Sequence, residues 1–105
     1  MNLPQEDWAQ RLKADTNGVV LDVRTRDEWD EGIIPSAINF DIYKGQEFVN
    51  AVDELDKSKN YYVYCKAGGR SEQACRIMTQ LGFENTYNLV GGITQWTGEI
   101  VAPSD

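Results

Sequence analysis

Histidine is absent from the 105-residue chain. That absence excludes every mechanism that uses imidazole as base or ligand, including the Ser/His/Asp and Cys/His triads and most catalytic zinc sites. Cysteine is scarce, with only Cys65 and Cys75. The opening Met1-Asn2-Leu3-Pro4-Gln5-Glu6-Asp7 lacks the basic and apolar regions of a signal peptide, so these two thiols fit neither a disulfide framework nor a four-ligand zinc site. No metal and no cofactor is expected. Positive charge is also in deficit: 10 lysines and arginines stand against 17 aspartates and glutamates, a net charge of -7. An acidic surface of this kind argues against nucleic acid or an acidic membrane as partner. No apolar run is long enough to cross a bilayer. The expectation is a cytoplasmic chain in which residues 1–105 form one globular domain, with a real core that needs no staples.

What is present alternates between helical and extended patterns. Residues 3–12 read as a short helix, with Pro4 near its first turn, acids early, and Trp8 and Leu12 four apart. After the Thr16-Asn17-Gly18 break, Val19-Val20-Leu21-Asp22-Val23 has the continuous apolar character of a strand covered on both faces. A short helix over 25–31 follows, with Thr25 as N-cap and Gly32 as stop. Next come a bend at Pro35, a small strand over 37–40, and a helix over 46–55 that places Phe48, Val52 and Leu55 on one side. Tyr61-Tyr62-Val63-Tyr64 reads as a strand, residues 71–81 as a helix burying Ala74, Cys75, Met78 and Leu81, and 86–90 as a last strand before one helical turn over 93–96. Trp8, Trp29 and Trp96 read as core or helix-docking residues, and Asp27-Glu28-Asp30-Glu31 as a solvated face. The pattern predicts an α/β fold, a mostly parallel sheet with helices on both faces, whose ligands bind at the carboxyl ends of strands.

Cys65 stands at such an end, and Cys65-Lys66-Ala67-Gly68-Gly69-Arg70-Ser71 joins the strand to the helix. A loop here can turn consecutive amides towards an anion, a field that favours thiolate over thiol. Gly68 and Gly69 can take positive φ to let the loop curl. Lys66 and Arg70 are the loop's cations, and Arg70 has the fork for bidentate binding of an oxyanion. Ser71 is expected to cap the helix and to lie near the sulfur. Cys75, on the apolar helix face, reads as core. Asp22 and Arg24 end the neighbouring strand and stand as candidates behind the loop, although Arg24 with Glu28 also has the spacing of an i,i+4 ion pair.

These residues resemble a rhodanese-type sulfurtransferase domain of the small, single-domain kind. Leu21-Asp22-Val23-Arg24 with Glu28-Trp29 is similar to the family's first signature, and Gly32-Ile33-Ile34-Pro35-Ser36-Ala37-Ile38-Asn39 to its second. The loop from Cys65 to Ser71 resembles the active-site loop, and Leu89-Val90-Gly91-Gly92-Ile93 with Trp96 the closing segment. Ile33 and Ser36 depart from the histidine and glycine usual at those places. The resemblance implies four or five strands, with the family's opening strand missing or rudimentary because Met1 lies almost against the first helix.

It also implies sulfane-sulfur transfer through a Cys65 persulfide, from a small anionic donor such as thiosulfate to cyanide, a thiol or a protein acceptor. Lys66, Ala67, Gly68, Gly69, Arg70 and Ser71 would surround the donor. Two rivals are a persulfide carrier or silent binding module and a cysteine phosphatase or arsenate reductase. The phosphatases place five residues between cysteine and arginine, whereas four lie between Cys65 and Arg70.

Overall fold

The computed structural model describes residues 1–104. Its elements follow in the order β1 (Asn2–Leu3), α1 (Gln5–Ala14), β2 (Gly18–Asp22), α2 (Arg26–Asp30), β3 (Ile38–Asn39), a 3-10 turn (Ile42–Lys44), α3 (Gln46–Asp53), β4 (Asn60–Tyr64), α4 (Gly69–Gln80), β5 (Asn85–Leu89) and a second 3-10 turn (Ile93–Gln95). The five strands lie in the order β1-β5-β4-β2-β3, and every pairing between them is parallel. The opening strand is therefore present, as two residues in register with Asn88 and Leu89. An isolated antiparallel bridge between Ile33 and Val101 ties the chain's last stretch back to the segment after α2.

Alternation along the central strand decides which layer each side chain joins. Tyr61, Val63 and Cys65 point into one core, with Leu21, Val23, Phe48, Val52, Ala74, Cys75 and Met78. Tyr62 and Tyr64 point into the other, with Trp8, Val20, Ile34, Tyr87 and Leu89. Trp8 is fully buried, stands edge-on to Tyr62, Tyr64 and Trp96, and donates its indole N–H to Tyr87 O at 3.1 Å. The tryptophans and Cys75 are thus packing residues, as their spacing predicts. Ile33, at the place of the usual histidine, is buried and bonds Val101 through its backbone. Ser36, at the place of the usual glycine, is the one non-glycine residue with positive φ (71°) among the described residues. Serine holds there a conformation that glycine adopts at lower cost.

Candidate active site

At the carboxyl end of β4 the Cys65 side chain lies beneath the following loop, 1% exposed. The amide of Gly68 donates to Sγ at 3.1 Å, and the Ser71 hydroxyl oxygen lies 3.3 Å from it. Burial alone pushes the thiol up. Hydrogen bonds from the Ser71 hydroxyl and from the amides of Ser71, Gly68 and Ala67 outweigh it and hold Cys65 below the ordinary thiol range. Cys75 shows the opposite balance, pushed up to about 11 chiefly by burial. Two cysteines in one core thus have opposite electrostatic surroundings, one favouring thiolate and the other thiol.

The loop's shape depends on two glycines. Gly68, at φ 109°, is the N-cap of α4 and passes beside the backbone of Gly91. Gly92 lies against the loop's own backbone: a Cβ there would stand 2.6 Å from the carbonyl oxygen of Cys65 and closer still to that of Lys66. The same turn carries Ile93 and Thr94, whose amides donate to those two carbonyls at 3.0 and 3.1 Å. Residues 91–94 are therefore the seat on which the loop rests. Gly69 differs from the expectation, since it is the first helical residue and an added Cβ would meet nothing within 4 Å. Of Gly68 and Gly69, only Gly68 has positive φ.

Two further expectations are corrected. Ser71 does not cap α4: the helix begins two residues earlier, and the Ser71 hydroxyl bonds Gly68 O and Asn88 Oδ1 as well as facing the sulfur. Arg24 does not pair with Glu28. It forms a buried pair with Asp22, Nη2 to Oδ2 at 2.7 Å, and its Nη2 also donates to Gly32 O. Tyr64 Oη donates to the same Asp22 carboxylate and accepts from the amide of Ile34. Asp22 and Arg24 thus tie the end of β2 to residues 32–34 and bond no residue of the loop.

Arg70 reaches from the start of α4 to α2. Its fork is held by Glu28, Nη1 to Oε1 at 2.7 Å and Nη2 to Oε2 at 2.9 Å, and Tyr43 lies against the guanidinium with its ring centre 5.3 Å from Cζ. Glu28 also closes a capping box with Thr25, so its carboxylate is fixed from two sides. The Arg70 bonds hold the Glu28 carboxyl down at about 2. A depressed acid stabilises the fold above its unfolded value, so this contribution is present above about pH 5 and is lost as the pH falls towards 2. Lys66 remains exposed at the mouth and Ala67 beside it. Glu28, Tyr43, Asn88 and Gly92 are site residues that the sequence reading missed. Two carried a signal: Thr25 followed by Glu28 has capping-box spacing, and Asn88 is a polar residue in a strand between buried neighbours.

No group of three or more metal-ligating side chains occurs among the described residues, and no helix among them is long and apolar enough to cross a membrane. What the arrangement offers is a nucleophilic sulfur under backbone amides.

Comparison with known proteins agrees with that geometry. The family model described as Rhodanese-like domain matches residues 5–99. A protein of Allochromatium vinosum named Sulfurtransferase is 37% identical over 105 residues, covering 96% of this chain and 94% of that one. The Putative sulfur carrier protein YrkF of Bacillus subtilis is 32% identical over 94 residues, covering 90% of this chain but 49% of that protein. Among solved structures, a rhodanese-related protein from Thermoplasma volcanium superposes with a TM-score of 0.80 at 31% identity, covering 95% of this chain and 96% of its own.

Proposed function

The chain belongs to the rhodanese-like domain family, and from that premise we propose that it is a sulfurtransferase whose Cys65 carries the sulfur as a persulfide. The observation that carries this reading is the buried Cys65 sulfur beneath the Gly68 amide and the Ser71 hydroxyl, in a chain with no histidine to serve as base. The thiolate attacks the outer, sulfane sulfur of thiosulfate. A new S–S bond forms at Cys65, the donor's S–S bond breaks, and its electron pair leaves on sulfite. An acceptor thiolate or cyanide then attacks the outer sulfur, giving a new persulfide or thiocyanate and returning the Cys65 thiolate. Loading lengthens the side chain by one S–S bond of about 2 Å.

Within this reading Glu28 limits the use of small anions. A thiosulfate dianion approaching the loop meets an Arg70 whose charge is already answered by a bidentate carboxylate. Glu28→Gln removes that competing charge while keeping a hydrogen-bonding group, and steady-state thiocyanate formation is expected to show a KM for thiosulfate lower by about fivefold, the value of a part-exposed ion pair worth about 1 kcal/mol. An unchanged or higher KM would contradict this role. The same occupied fork favours a second reading, a persulfide carrier loaded by an upstream sulfurtransferase and unloaded on a protein thiol. Comparing thiosulfate with a glutathione persulfide as donor separates the two, because a carrier loads from the persulfide at thiosulfate concentrations that leave Cys65 bare.

A further inference from the structure

Asn88 is 3% exposed on β5 and takes no part in the chemistry above, yet it stands between the nucleophile's neighbour and the surface. A chain of hydrogen bonds runs through it, and the ends fix its direction. The Glu72 carboxylate can only accept, so Asn2 turns Nδ2 to Glu72 Oε2 at 2.9 Å and presents Oδ1 to Asn88 Nδ2 at 3.0 Å. Asn88 Oδ1 then faces Ser71, whose hydroxyl donates to it at 2.5 Å. A hydroxyl has one proton, and besides Asn88 Oδ1, the shortest contact, the sulfur of Cys65 lies 3.3 Å and Gly68 O 3.2 Å from the same oxygen.

We propose that Asn88 is a positioning residue that competes with Cys65 for the Ser71 hydroxyl proton, so that the chain from Glu72 through Asn2 and Asn88 sets how readily the nucleophile becomes thiolate. The inference rests on Cys65 being the sulfur-bearing nucleophile. In the thiol state Ser71 serves Asn88 and offers a lone pair to the S–H. In the thiolate or persulfide state the hydroxyl turns to the sulfur, and Asn88 Oδ1 gives up its donor. The register of β1 makes this arrangement, because Asn2 is the direct partner of Asn88 across the sheet edge.

Other charged and titratable groups stand on the elements around the site. They are Lys66 in the loop, Arg70 and Glu72 on α4, Glu28 on α2, and Asp41, Tyr43 and Lys44 at the first 3-10 turn; Asp22 and Arg24 at the end of β2 answer each other. β5 brings only Tyr87, on the opposite face, and residues 91–96 bring none. Of these only Glu72 bonds Asn2 and loses a donor when Asn2 is altered; an effect of its charge on the sulfur would survive Ser71→Ala, whereas one carried by the hydroxyl would not.

The test is the pH dependence of Cys65 alkylation by iodoacetamide, read below pH 9 where Cys75 stays protonated, since its thiol is pushed up to about 11. Asn2→Ala removes the shorter of the two bonds that hold Asn88 Nδ2, leaving Gly68 O at 3.3 Å; the loosened amide can turn Nδ2 towards Ser71, which then donates to sulfur, and the midpoint should fall by about half a unit, roughly threefold more thiolate on the rising limb. Asn88→Asp should move it up, because a carboxylate keeps the hydroxyl and adds charge. The Asn2→Ala shift should vanish in a Ser71→Ala background, which a merely structural effect of β1 would not do. An unmoved midpoint in either folded variant, or an Asn2→Ala shift that survives Ser71→Ala, overturns the proposal. Alkylation needs no sulfur donor, so the two readings fail separately. Shifted midpoints without sulfur loading defeat the transfer reaction alone, and normal loading with unmoved midpoints defeats the chain alone.

Discussion

Cys65→Ser should abolish sulfur transfer above background while leaving the fold within about 1 kcal/mol of the parent. The two outcomes have separate causes. A serine hydroxyl stays protonated near neutral pH, no base stands beside it, and an oxygen cannot pass through a persulfide. Structurally the change is mild, because the hydroxyl can accept from the Gly68 amide that now donates to Sγ and can bond the Ser71 hydroxyl. Thiocyanate formation and urea denaturation, measured on one preparation, check both halves. Residual turnover within about tenfold of the parent would place the nucleophile elsewhere, and Cys75 is a poor substitute, buried and with its thiol pushed up.

Arg24→Ala should destabilise the protein by about 3–5 kcal/mol, the usual cost of leaving one member of a buried pair alone. Asp22 is fully buried, and its carboxylate accepts from the backbone amide, Nε and Nη2 of Arg24 and from Tyr64 Oη. Removing the guanidinium strands that charge and also leaves Gly32 O without its donor. The double variant Asp22→Asn/Arg24→Met should cost less than Arg24→Ala alone, since it removes the uncompensated charge. Urea midpoints at constant m-value test the ranking. Under folding conditions the variants should still load sulfur on Cys65, because neither residue bonds the loop. A stability loss under about 1 kcal/mol, or loading lost from folded protein, would return the pair to the catalytic machinery.

Much of the fold was legible because β4 and its neighbours carry patterns that only one arrangement satisfies. Buried runs over 19–23 and 61–64, separated by helical spacing, demand parallel strands with helices between them, and Cys65 falls at the strand end where ligands bind. β1 was harder to read, since two residues form a strand only by pairing with β5, and neither has a local pattern. The expected partner of Arg24 failed for a reason of period. Glu28 lies at i+4, which brings side chains together only on a helix, but α2 begins at Arg26. Arg24 lies in a bend just past β2, where its backbone amide donates to the Asp22 carboxylate two residues back and the turn brings the guanidinium onto the same group. Arg70 and Gly92 were out of reach because their partners, Glu28 and the carbonyls of Cys65 and Lys66, meet them only through the tertiary fold.

Peptide-level mass spectrometry of the protein after brief exposure to thiosulfate or glutathione persulfide, without reducing agent, tests the sulfur-transfer reaction most directly. The expected spectrum shows the mass of one sulfur atom added to the peptide bearing Cys65, absent from the Cys75 peptide, removed by cyanide, and missing in Cys65→Ser. An unmodified Cys65 with both donors, or sulfur found on Cys75 instead, would contradict it.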